Sequence, residues 1–445
     1  MKSFPFKVSP LIVGSMALVF TSLANAEEQS LTLSKAIELV QQSAVVSARQ
    51  ERAKAWAFKP EQVGSLPDPI LSLGALSFPV DTFNRDQENM TQLQVGISQA
   101  LPFPGKLGQK EASARHMANA ARYDLNELKS QLVSQVQVRW WNLFYADRAL
   151  EIVLKNQELL RQFIRIAETK YKVGKGLQQD VLLAQLELSK LLDSHIQWVA
   201  IRNQEQARLN ALLNQVASKT IVLPQSVDEQ LPALASEQTL RQQAMTARPM
   251  LAKQQQYIYS AEAEVHVAEK EYYPDFKLGV SYGLRESNPV TGLDRADLTS
   301  VTLSMSIPFG VIQDAQLGQR KAETAQAEFA YLDAQARVQA EVGVEVANYL
   351  KAKDQVSLFK QGIIPQAQQT VASMLAAYQV NKVDFLNLVR TQITLYNYET
   401  QYWKVLAQAK QSLARLDAAV GKNMHGIAHQ SKEKAVNKYV ENHHE

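Results

Sequence analysis

One switch occurs twice in this chain, and it constrains the fold more than any other feature. Gln92 to Leu101 alternates, with Leu93, Val95 and Ile97 on one face and Gln92, Gln94 and Ser98 on the other. A period of two belongs to a strand with two different faces. Pro102-Phe103-Pro104-Gly105-Lys106 then ends strand pairing and re-aims the chain. From Lys106 to about Tyr171 there is no proline, and Ala, Leu, Gln, Glu, Lys and Arg dominate, which is helix-forming composition. The switch recurs at Val301 to Phe309, with Pro308 in the place of Pro102 (308 − 102 = 206). A second proline-poor segment runs from about Asp314 to Tyr378, and its one proline, Pro365, is expected to kink it. The two segments also end alike. Tyr171-Lys172-Val173-Gly174 matches Tyr378-Gln379-Val380-Asn381 at an offset of 207 (378 − 171 = 207). A duplication of this length implies one architecture built from two similar halves.

Each half reads as a strand hairpin followed by a long helical hairpin. The first repeat spans 27–235, with strands near 70–76 and 92–101 and a helical hairpin over about 106–213. The second spans 236–421, with strands near 275–284 and 298–307 and a helical hairpin over about 314–420. Apolar residues at Leu125, Leu128, Leu132, Val136, Trp140 and Leu143 recur at steps of three and four, the spacing of a packed helical seam. Val338, Val342, Val346 and Tyr349 form its counterpart. At ~1.5 Å per residue, a helix of about 66 residues is a rod of roughly 100 Å. A compact globule has no room for it. The fold class expected is mainly α with a small β part.

The first 26 residues read as a secretory signal, with Lys2 and Lys7 before an apolar core and Ala24-Asn25-Ala26 as the cleavage site. Residues 422–445 read as a polar tail. A net charge of +3 argues against nucleic acid as a partner, and the absence of cysteine excludes disulfides and thiolate metal sites. No phosphate loop, His-Glu-x-x-His or Gly-x-Ser-x-Gly is present. The chain therefore reads as a non-enzyme without a cofactor. His425 and His429, spaced i, i+4, are weak metal-ligand candidates in the tail.

The strands are about ten residues long, the length that crosses a bilayer as tilted β-structure. A sheet in lipid must close, because open edges leave backbone groups unsatisfied. The four strands of one chain are too few to close a barrel, so a spanning sheet demands oligomerisation. The competing reading is a soluble periplasmic scaffold or adaptor, whose small sheet turns its apolar face to a core.

The ordered set of these features resembles the TolC-like outer-membrane efflux proteins over about Leu31 to Gly421. It comprises the duplicated strand-Pro-Phe switch (Pro102, Pro104, Gly105; Pro308, Phe309) and the tip motif Tyr171-x-Val173-Gly174 followed by Asp180. The resemblance implies a homotrimer with a twelve-stranded barrel in the outer membrane of a Gram-negative bacterium. It implies an α-helical tunnel reaching into the periplasm, a periplasmic adaptor and an inner-membrane RND-type transporter. Pro67-Asp68-Pro69 followed by Pro102-Phe103-Pro104-Gly105-Lys106 is similar to the heavy-metal-resistance branch, which implies cation export. Multidrug efflux and polypeptide secretion remain open as alternatives. By the same resemblance, Val173, Gly174, Lys175, Gly176, Val380, Asn381 and Lys382 form the adaptor-docking tips, and Asp180 and Tyr378 help to close the periplasmic gate. The arginine of some relatives falls at Val383, their acidic rings fall at Asn387 and Arg390, and Asp384 lies close by. Asp180 also has a plainer reading, as a helix-start carboxylate favoured by the dipole.

Overall fold

The computed structural model describes residues Ser30 to Lys422. The expected leader and the tail with His425 and His429 lie outside the described residues. Three short helices open the chain: α1 (Leu33–Gln41), α2 (Ala44–Ala57) and α3 (Lys59–Gly64). The hairpin β1 (Ile70–Leu76) and β2 (Gln92–Leu101) follows, then α4 (Lys106–Lys172) and α5 (Gln178–Leu212). The second half repeats the order with α6 (Glu237–Ala247), α7 (Pro249–Lys270), β3 (Phe276–Leu284) and β4 (Leu298–Met305). It ends with α8 (Val311–Leu358), α9 (Ile364–Gln379) and α10 (Phe385–Val420).

The expected single long helix of the second half is divided. A π turn at Phe359–Ile363 separates α8 from α9, just before Pro365. Proline has no N–H to donate to the preceding turn, and widening that turn absorbs the loss. In contrast, α4 runs unbroken for 67 residues. The seam residues expected from spacing are inside: Val136, Leu143, Val338, Val342 and Tyr349 have no exposed surface. Trp140, Trp141 and Phe144 pack with Leu209, Leu213 and Ile221 in the principal apolar cluster. Between α4 and α10, Gln392 Nε2 donates to Asn156 Oδ1 (2.7 Å) and Gln411 Nε2 to Asn142 Oδ1 (2.7 Å). These two pairs satisfy polar side chains between the packed helices, as burial requires.

All four strands form one antiparallel sheet in the order β1-β2-β3-β4. Each half contributes a hairpin, and β2 pairs with β3 to join the halves. The expected alternation is present, but its apolar face meets no core. Leu71, Leu73, Ile97, Val280, Val301 and Leu303 all stand exposed. The opposite face carries small and polar residues, with Ser72, Gly96, Ser281 and Ser300 in one row across the strands. A Cβ on Gly96 would lie 2.9 Å from Ser72 Oγ, and one on Gly283 would lie 1.7 Å from Gln92 Oε1. Glycine lets the Ser72 and Gln92 side chains lie over the strand, and any larger residue would displace them.

The two switches turn on glycines with left-handed φ, Gly105 (82°) and Gly310 (91°). They differ in what holds them. Lys106 is buried and its ammonium donates to Glu271 and Asp275, each at 2.7 Å. The Phe103 amide donates to the same Asp275 carboxylate (2.7 Å), and the Phe103 ring stacks on Tyr273 at 4.4 Å. Burial alone would lower the Lys106 pKa, but its bonds to Asp275 and Glu271 raise it. Burial alone would raise the Asp275 pKa, but Lys106 and the Phe103 amide hold it below the ordinary carboxylate value. A depressed carboxylate contributes stability above its unfolded value and loses it as pH falls through the folded one. Lys106→Met should therefore lower the melting temperature in detergent, by a loss of about 1–3 kcal/mol, and should reduce the loss of stability on acidification below about pH 4. Thermal scans of parent and variant at neutral and acid pH test both.

Candidate functional site at the helical tips

The far ends of the two helical hairpins lie together. Phe163, Ala167 and Ala184 of the first hairpin share one cluster with Tyr378, Phe385 and Leu388 of the second. Both tips reverse through the same turn. The Lys175 amide donates to the Lys170 carbonyl (2.8 Å), and the Lys382 amide to the Ala377 carbonyl (2.9 Å). The turn needs a left-handed residue, which is Gly174 (φ 71°) in one tip and Asn381 (φ 62°) in the other. Asparagine tolerates that region better than other side chains do, so the mismatch between the two motifs leaves the turn unchanged.

Around this cluster sit the expected gate residues. Tyr378 is buried, with its ring 5.2 Å from Phe385. Its hydroxyl has no hydrogen-bond partner among the described residues, so no bond to Asp180 is made within one subunit. Burial, and then the Asp180 charge, push the phenol up to about 12. Asp180 lies in the first turn of α5, where its carboxylate is bonded by the Leu177 backbone. It thus occupies the helix-start position while also facing Tyr378. Burial and then the Asp384 charge push its carboxyl up, against the Leu177 amide and Lys170. Asp384 caps α10 by accepting from the Asn387 amide at 3.1 Å. Asn387 and Arg390 are exposed on the first turns of α10 and are outside this cluster. Val173, Leu177 and Val380 are also exposed, and they put an apolar surface on the otherwise polar tips around Lys175, Gly176 and Lys382.

Lys170 connects the hairpins, and sequence reasoning passed it over. Its ammonium donates to the Tyr378 carbonyl and to Asn381 Oδ1 (2.6 Å). It also lies 4.1 Å from the centre of the Tyr378 ring, within cation–π range. The repeat carried a clue. The tip motifs match from Tyr171 and Tyr378 onward, but the preceding residues are Lys170 and Ala377. A basic residue present in one copy and absent from the other marks a function that the symmetry does not share.

Among the described residues, no group of three or more His, Asp or Glu is placed to hold a metal ion. No described helix is long and apolar enough to cross a membrane.

With the repeat, the exposed strand face and the paired tips in view, comparison with known proteins is decisive for the family. The outer membrane efflux protein model matches residues 61–215 and 240–422, one stretch in each half. The chain belongs to the outer membrane efflux protein family. It is 21% identical over 373 residues to the cobalt-zinc-cadmium resistance protein CzcC of Cupriavidus metallidurans, covering 81% of this chain and 82% of that protein. It is similar in structure to CusC, described as forming a transmembrane channel (TM-score 0.73, 16% identity, 94% of this chain and 99% of CusC). It is also similar to the outer membrane protein VceC of Vibrio cholerae (TM-score 0.70, 16% identity, 87% and 96% covered). This efflux-family chain therefore shares the helical and β architecture of those channels.

Hydrogen exchange at the tips tests the tether. Lys170→Met should speed exchange at the Asn381 and Lys382 amides several-fold, because each bond from a charged donor contributes about 1.5–3 kcal/mol when shielded and less near solvent. The raised Asp180 carboxyl gives a second outcome. A carboxyl that binds its proton more tightly in the closed tip stabilises that tip as pH falls through the window above the ordinary carboxylate value. Corrected for intrinsic rates, exchange in the parent tip should slow on acidification, and Asp180→Asn should abolish that dependence.

Proposed function

We propose that this chain is the outer-membrane exit duct of a tripartite efflux pump. It acts as a homotrimer with a twelve-stranded barrel and a helical tunnel in the periplasm. The observation that carries this reading is the sheet. Its apolar face is exposed, its β1 and β4 edges are open, and it stands at one end of a 67-residue helix. A soluble scaffold would turn the apolar face of such a sheet inward. Lipid is the environment in which that face is at home, and closure by further copies is what the edges require. The partners are a periplasmic adaptor, docked at the exposed tips, and an inner-membrane RND-type transporter that supplies the energy. Heavy-metal cations are the preferred cargo, because the curated relative is a cobalt-zinc-cadmium resistance protein and the Pro-Asp-Pro and Pro-Phe-Pro-Gly-Lys strings agree with it.

Topology and cargo are tested separately. Cysteines placed at Asn84 and Asn288, in the β1–β2 and β3–β4 loops, should both be labelled from outside intact cells. Recovery of the mature protein in the soluble periplasmic fraction would refute the duct. Deletion in a host lacking redundant ducts should reduce tolerance to at least one of copper, silver, cobalt, zinc or cadmium. Unchanged tolerance to all five with lost drug tolerance would assign it to multidrug export.

The gate reading rests on Asp180, Tyr378 and Asp384 around the Lys170 tether. Asp180→Ala should raise single-channel conductance in planar bilayers. Tyr378→Phe should raise it less. Because the Tyr378 hydroxyl has no acceptor among the described residues, an acceptor on a neighbouring subunit is the partner this reading assigns to it.

A further inference from the structure

The two switches share a Pro-Phe step after a strand but not the same surroundings, and the difference points to what covers the second one. At the first, Phe103 is seated on Tyr273 and its amide is held by Asp275. At the second, Phe309 is 90% exposed, with Ile307, Val311 and Ile312 exposed beside it. On the far side of the sheet, Leu66 is 54% exposed. Asp68 is exposed too. The internal repeat relates these two bare surfaces to the two that are joined.

The repeat maps β2 onto β4 with an offset of 206, as Phe103 maps to Phe309, and β1 onto β3 with 207, as Pro67-Asp68 maps to Pro274-Asp275. The ladders obey both offsets. Leu71 faces Ile97 in the first hairpin, and Leu278 faces Leu303 in the second. Applied to the β2–β3 seam, the same offsets give the seam between β4 and the β1 of another copy. Ser98 opposite Gly279 becomes Ser304 opposite Ser72, and Ile97 opposite Val280 becomes Leu303 opposite Leu73. Gly96 opposite Ser281 becomes Thr302 opposite Gly74. These three pairs keep apolar residues on one face and small or polar residues on the other, while at the ends of the seam Leu76 and Ile70 fall opposite Ser300 and Ser306. A slip of one residue would put Leu303 opposite Ser72 or Gly74, which point to the opposite face. Tyr273 maps to Leu66 and Asp275 to Asp68.

We propose that β4 of one subunit pairs with β1 of the next in this register, and that Phe309 seats on Leu66 and donates its amide to Asp68 of the partner subunit. This rests on the oligomeric duct proposed above. The joint between subunits is not a full copy of the joint within one. Val311 and Ile312 stand where the first switch has Lys106, and Gly64 stands where it has Glu271. The buried ion cluster is thus replaced by apolar side chains against backbone, and the intersubunit joints are held by apolar contact and one amide–carboxylate bond.

The chain has no cysteine, so paired substitutions can be read cleanly. Purified oligomer carrying S72C and S304C should oxidise to a covalently closed ring on a non-reducing gel. S72C with T302C, and S72C with S306C, each a two-residue slip, should cross-link at least tenfold more slowly. Faster linkage in a slipped pair would overturn the register while leaving the duct intact. No linkage in any pair, with the oligomer mass unchanged, would overturn the β1–β4 seam. A parent protein that is monomeric by mass, with its strand content retained, would instead refute the duct itself. For the joint, Asp68→Ala should lower the temperature at which the oligomer dissociates in detergent. Asp68→Asn, whose side-chain oxygen still accepts from the amide, should restore most of the loss. Equal effects of the two variants, or none from Phe309→Ala, would remove Asp68 and Phe309 from the seam.

Discussion

The β2–β3 ladder is the interaction on which the rest of this molecule depends. It joins the two halves through one continuous antiparallel register from Leu93–Leu284 to Leu101–Phe276. Because the register of a sheet places every side chain on one face or the other, this ladder aligns the apolar rows of both hairpins. It also brings the first switch against the end of α7, where the buried Lys106 meets the half-buried Glu271 and Asp275. The axis of α4 is set there. A rod of roughly 100 Å magnifies any error in that angle at its far end, which is why a rigid, charged and largely buried clamp sits at the root of the helix.

Much of this organisation was legible from spacing alone. Strand alternation, the two switches and the seam residues of α4 and α8 each express one period, and periods survive without tertiary information. The boundaries that moved did so for local reasons. The β4 strand stops at Met305, before Ile307, because at the next pair the Asp275 amide donates to the Ser306 hydroxyl in place of a ladder carbonyl. The helix before Tyr378 is divided by a π turn that the position of Pro365 announces but does not specify.

The tips were less legible, because their chemistry is set by which atoms meet across 208 residues of chain. The family resemblance pairs Asp180 with Tyr378, and the Asp180 charge acts on the Tyr378 phenol. Whether a phenol reaches a carboxylate depends on tenths of an ångström, and the hydroxyl is left without a partner. Lys170 was invisible for the opposite reason. Its partners are a main-chain carbonyl and an asparagine side chain, neither of which announces a need for a cation.

The π turn before Pro365 has a geometric consequence for the long helical hairpins. A straight helix that follows a seam of period 3.5 drifts by ~20° per heptad, so over the 48 residues of α8 its contact stripe would wander well round the cylinder. Helix α4 meets this drift by changing neighbours along its length, from α7 near the sheet to α5 and α10 toward the tips. Helix α8 also changes neighbours, with α7, α6 and α10 all packed against it, and its five-residue wide turn in addition takes up one extra residue, or about 100° of rotation. It acts as a phase correction, bringing Met374, Leu375 and Tyr378 back onto the stripe that Val356 and Phe359 had followed. Both halves thus follow the drift by exchanging partners, and the second adds a reset of its own pitch.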